Sequence, residues 1–177
     1  MITLETQVHV AGLRAKTVFE FLLNATDRDY QTWWPGVHLR CRTLKRCHGH
    51  VGSVMYFDQF IGDYRVRHTD VIVEAVPCRR ISRQVLKGPI RLPVRIVFEL
   101  EDDDEGVTIT HTIYAGFSGL LRVFDPAFRL HFSERFAVAM DEHMKAECQL
   151  LRNLSSTPVV IAPAIFTATF QSEAGVS

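Results

Sequence analysis

From Val37 to Phe117 the sequence runs in segments of period two joined by short turns, and no segment of helical period interrupts them. Such alternation marks half-buried strands. Strands that follow one another through tight turns pair antiparallel, because a parallel neighbour needs a long crossover. Val37, Leu39 and Cys41 share one parity against His38, Arg40 and Arg42. "HGHVG" turns into "SVMYFDQF", and "IGD" turns into "YRVRHTDVIVEAV", which ends at Pro77-Cys78. "RRISRQVL" follows, and "KGPIRLP" separates it from "VRIVFELE". "DDDEG" is a hairpin turn, after which "VTITHTIYAGF" sets Val107, Ile109, His111, Ile113 and Ala115 on one face. An N-terminal strand with Ile2, Leu4, Thr6, Val8 and Val10 on one side brings the expected sheet to seven strands.

Helical periods flank this block. Val18, Phe19, Leu22 and Leu23 fall on one face of a first helix. Asn24-Ala25-Thr26-Asp27 breaks it, with Thr26 or Asp27 capping a second short helix that Pro35-Gly36 ends. Near the C-terminus a long helix is expected to begin near Phe128. Phe132, Phe136, Met140, Met144, Cys148 and Leu151 form its apolar stripe, and Glu134, Asp141, Glu142, Lys145, Gln149 and Arg152 its wet side. His143 and Glu147, one turn apart, are expected to pair at the surface, as are His131 and Glu134. Residues 155–177 are an apolar tail. Pro158 and Pro163 forbid a helix through it, and its strand-like segments suit a sheet edge or a second copy of the chain, pairing a homodimer. Residues 1–154 then form the single folded domain.

The chain has 177 residues, and its twenty Lys and Arg balance its twenty Asp and Glu. That neutrality argues against a nucleic-acid partner or an anionic membrane surface. No apolar run approaches the ~20 residues of a membrane helix, so stable membrane insertion is not expected. The N-terminus lacks the charged and apolar regions of a signal peptide. Four cysteines are too sparse for a disulfide scaffold, and a reducing cytoplasm is the expected compartment.

The order strand, two short helices, six strands, one long helix resembles the helix-grip fold of the START-like (SRPBCC) superfamily. The flavour is nearest the polyketide cyclase/dehydrase and lipid-transport group. "VFEFLLNATDRDYQTWWPGV" after the first strand, "VGSVMYF" and "TDVIVEAVPCRRIS" carry the resemblance, over about residues 2–154. It implies an α+β fold in which a curved seven-stranded antiparallel sheet wraps the long C-terminal helix. It also implies an apolar-ligand cavity between them, walled by adaptable Met140 and Met144.

Polar residues on apolar strand faces are the first site candidates, because buried charge and imidazole are costly without a task or a partner. His111 lies among Val107, Ile109 and Ile113; Arg83 lies between Ile81 and Val85; His68 shares parity with Tyr64 and Val66. A bulge or one-residue slip would turn the same side chains outward. With them, Met55, Phe57 and Phe98 from the strands are expected to contact ligand. So are Trp34 and Phe117 at the rim and Phe132, Phe136, Met140 and Met144 from the helix.

No cofactor or metal is expected. Cys41, Cys47, His48 and His50 lack a second tight pair for zinc, and the "DDDEG" carboxylates lack calcium-loop spacing. Gly116 and Gly119 beside Phe117 could hinge a lid. The functions these residues admit are binding or transport of a hydrophobic, lipid- or polyketide-like molecule; a cyclase or dehydratase with His111 as catalytic candidate; and a subunit-interaction module with a filled cavity. Of the adjacent Trp33 and Trp34, which cannot share one helix face, one should wedge the helix pair on the sheet. Trp34, held extended by Pro35, should reach the cavity rim.

Overall fold

The alternating segments pair into one antiparallel sheet. The computed structural model describes residues 2–117 and 132–155, with side chains to Arg152. Strand β1 is Ile2–Ala11, followed by helices α1 (Ala15–Asn24) and α2 (Asp27–Trp33). Six strands come next: β2 His38–Lys45, β3 Val54–Ile61, β4 Tyr64–Val76, β5 Arg80–Lys87, β6 Ile90–Asp102 and β7 Gly106–Ala115. Helix α3, Glu134–Ser155, completes the described chain. The sheet order is β1-β7-β6-β5-β4-β3-β2, so the helix pair carries the chain from one sheet edge to the other. Helix α3 lies across β1 and reaches β3 and α2, and the core fills the space between.

Local chemistry sets the joints. Thr26 caps α2 through a capping box: its hydroxyl accepts from the Asp29 N–H, and the Asp29 carboxylate accepts from the Thr26 N–H. The long helix begins at Glu134 rather than near Phe128, because Phe132 and Ser133 are not helical. Ser133 Oγ accepts from the Phe136 N–H, as an N-cap does. Strand β6 begins at Ile90, so "KGPIRLP" is mostly strand, with Gly88-Pro89 as its turn. The proline at Pro93 is tolerated because the β5–β6 register shifts between Gln84 and Leu86. At that bulge the Gln84 side-chain amide donates to the carbonyls of Leu92 and Val94.

The expected face of β7 holds, with Val107, Ile109, His111, Ile113 and Ala115 all buried. On β2 it does not. A register shift between His38 and Arg40 turns His38 inward, together with Cys41, and both are 1% exposed. The tail, His131 and Gly119 lie outside the described residues. Among the described residues, no helix is long and apolar enough to cross a membrane.

Gly106 opens β7 against Ala11, and a Cβ there would lie 2.2 Å from the Val10 carbonyl oxygen and 2.8 Å from Ala11 Cα. Both neighbours are backbone and have nowhere to retreat. Gly106→Ala therefore costs about 3 kcal/mol and lowers Tm by about 10 °C in a thermal melt.

Candidate functional site

Between the inner face of the sheet and α3 lies a cavity of about 380 Å³. Met55 and Phe57 reach it from β3, His68 from β4, Arg83 from β5, Phe98 from β6 and His111 from β7. Phe132, Phe136, Met140 and Met144 supply the helix side. These residues converge because they occupy the inward parity of successive strands and, for Phe136, Met140 and Met144, one stripe of α3, with Phe132 just ahead of its first turn.

Trp34 and Phe117 do not line the cavity; Trp33 does. Trp33 is the last residue of α2 and follows Tyr30 by three positions, so both rings share the buried face. The Trp33 indole N–H donates to the Glu147 carbonyl at 3.1 Å, and its ring meets Phe21 edge-on at 4.9 Å. Wedge and cavity wall are thus one residue. Trp34 instead stacks on His143, with ring centroids 4.9 Å apart.

Two polar groups interrupt the apolar lining. The first centres on Arg83, which is 5% exposed. Its guanidinium donates to the Leu22 carbonyl and lies between the rings of Phe57 and Phe98, 5.0 and 5.6 Å from their centroids. Burial pushes its pKa down and Asp70 opposes that shift, but a guanidinium stays charged. Asp70, 1% exposed, also lines the cavity, and His68 Nε2 lies 3.3 Å from its Oδ2. Asp70 was legible by parity, two residues beyond His68 on the same strand face.

The second group gathers at α3. His143 and Glu147 are not a surface pair: they are 5% and 8% exposed, and both line the cavity. Helix α3 packs against both sheet and α2, so its buried arc is wider than the apolar stripe and takes in both residues. His38 joins them from β2, its Nε2 3.2 Å from Glu147 Oε1, while His143 Nε2 lies 3.7 Å from Glu147 Oε2. Nitrogen and oxygen atoms of all three lie within 4.8 Å of one another, an arrangement able to hold a metal ion. Burial raises the Glu147 carboxyl, but the two adjacent imidazoles lower it by more, leaving it below the usual range. Burial lowers His143, with Glu147 opposing. His111, against Phe98 at 4.8 Å, is pushed by burial down to about 4.

His111 is therefore neutral in the folded protein where the unfolded chain takes up a proton. Its contribution to stability is full above pH ~6.5, the ordinary imidazole value, and is lost as pH falls towards 4. That contribution amounts to about 3 kcal/mol. In urea unfolding followed from pH 7 to pH 4, His111→Leu flattens this part of the wild-type profile; an unchanged slope refutes the assignment.

No family model matches the chain, and no curated protein matches it. Solved structures do. Ginseng (Panax ginseng) major latex-like protein 151 is 15% identical, with a TM-score of 0.54 over 80% of this chain and 96% of its own. The Aha1 dimer from Colwellia psychrerythraea is 17% identical, at 0.51 over 84% and 97%. A Staphylococcus aureus protein of unknown function is 6% identical, at 0.56 over 88% and 98%. These likenesses are of fold, and with its seven-stranded antiparallel sheet holding one long C-terminal helix this chain has the helix-grip fold.

Proposed function

We propose that the protein binds a hydrophobic small molecule, lipid- or polyketide-like, between the sheet and α3, with a carbonyl or hydroxyl of that molecule held by Arg83, His111 or His68. The observation that carries this is a cavity of about 380 Å³ whose apolar wall is broken at a few converging polar side chains. Ligand sites of that size are mostly apolar, with a few placed polar groups that fix orientation. Arg83 Nε is buried and finds no hydrogen-bond partner among the described residues, so a ligand oxygen has a donor to meet. The open volume speaks against an interaction module whose cavity is filled by its own side chains.

A second reading rests on a different observation. Neutral His111, ionised Glu147 and cationic Arg83 line the same cavity, which gives it a base, a carboxylate and a carbonyl-polarising group. These suit an acid–base cyclase or dehydratase acting on a folded polyketide-like chain.

Displacement of a fluorescent fatty acid, with native mass spectrometry of the freshly purified protein, tests the first reading. Ile96→Trp, which fills the cavity from β6, weakens probe binding at least about tenfold. No co-purifying ligand and no displacement by fatty acids, sterols or aromatic polyketides would sink it. For the enzyme, His111→Ala abolishes turnover of a polyketide-like substrate but retains probe displacement; unchanged turnover removes His111 from the chemistry.

A further inference from the structure

His38 offers one ring nitrogen to the backbone and the other to the cluster. Its Nδ1 lies 3.2 Å from the Tyr30 carbonyl oxygen. A carbonyl only accepts, so Nδ1 carries a proton and Nε2 is the ring nitrogen left to face Glu147. Nε2 and the Glu147 carboxylate lie 3.2 Å apart, with His38 fully buried and Glu147 10% exposed at the side chain. Neither His38 Nε2 nor His143 Nε2 finds a hydrogen-bond partner among the described residues. Buried nitrogens without partners are expensive, so a cation belongs among them. A proton on His38 relieves one approach and leaves His143 Nε2 unanswered. A metal ion answers both nitrogens and the carboxylate at once.

We propose that His38, His143 and Glu147 form a binding site for a divalent first-row transition metal, Zn²⁺ foremost. Two imidazoles and one carboxylate are a borderline nitrogen–oxygen donor set that suits such ions. His143 and Glu147 are four apart on α3 and so present their ligating atoms from one face. The surroundings hold the rings as a ligand shell needs. The Tyr30 carbonyl fixes the His38 tautomer, and the Tyr30 ring stacks on His38 at 4.0 Å and 4°. Trp34 stacks on His143, and the Trp33 indole anchors α3 at the Glu147 carbonyl. Donors around tetrahedral zinc sit about 3.3 Å apart, so the trio tightens by side-chain shifts of about 1 Å. His143 and Glu147 line the cavity, which directs a remaining coordination position towards whatever occupies it. The site does not depend on the ligand-binding reading, and it gives the stacked Trp34 a task.

The test uses the full chain, stripped with a chelator and titrated with Co²⁺ and Zn²⁺. One Co²⁺ per chain binds with the visible absorption of a low-coordinate nitrogen–oxygen site, and Zn²⁺ displaces it. His38→Gln, His143→Gln and Glu147→Gln each weaken binding by about 100-fold or more, with circular dichroism confirming that each variant is folded. A Cys47→Ser/His48→Ala/His50→Ala variant of the β2–β3 turn binds as wild type does. X-ray absorption of the Zn²⁺-loaded wild type reports imidazole nitrogen and oxygen neighbours, a result that needs no variant to fold. Absence of a Co²⁺ spectrum in folded wild type overturns the proposal and leaves a buried His38–Glu147 ion pair. Retained affinity in folded Glu147→Gln, loss in the turn variant, or a sulfur neighbour in the absorption spectrum overturns it equally.

Discussion

The seating of α3 decides everything inside the sheet. One helix cannot fill the concave face of seven strands, so the same packing that buries Phe136, Met140, Met144, Cys148 and Leu151 leaves a space beside them. The Trp33 indole N–H holds that seat from the far side, because its hydrogen bond to the Glu147 carbonyl ties the end of α2 to the middle of α3. The Thr6 hydroxyl donates to Asp141 at 2.9 Å and ties β1 to the same helix. Rotating α3 by one residue would put Met144 and Cys148, or Glu142 and Ala146, where His143 and Glu147 now stand.

Much of the fold was legible because period two and period 3.6 were cleanly separated along the chain. The seven strands follow from parity, their antiparallel pairing from the short turns between them, and the cavity-facing His111, Arg83 and His68 from parity where no bulge intervenes. The two failures on the strands share one physical cause: parity survives only until a bulge. At β2 the shift between His38 and Arg40 brought a histidine inside that alternation had placed outside. At β6 the shift opposite Gln84 admitted a proline that alternation had taken for a loop. On α3 the sequence shows the apolar stripe from Phe136 on but not the width of the buried arc, which is set by how many elements pack on the helix. His143 and Glu147 were visible as a pair four apart, while their burial depended on α2 and β2.

The interior chemistry has a consistent logic. Arg83 and Asp70 both line the cavity, with aromatic or imidazole rings beside each. Arg83 Nε and both carboxylate oxygens of Asp70 are buried without a hydrogen-bond partner among the described residues, so the two groups leave polar atoms open to whatever enters. The thiols play no comparable part. Burial raises Cys41 to about 11 and Cys148 higher still, so both behave as small apolar side chains.

The sheet order has a kinetic meaning. The first and last strands are neighbours, and the Gln7–Thr110 side-chain bond joins residues 103 positions apart. Every other strand pairing is between consecutive segments and can form as a hairpin. Pairing of β1 with β7 must wait for both ends of the chain, and loop closure of that span slows folding. His111 sits opposite Thr6 in that seam. In the unfolded chain the same imidazole faces water and takes up a proton near its ordinary value, so its neutrality is a product of assembly.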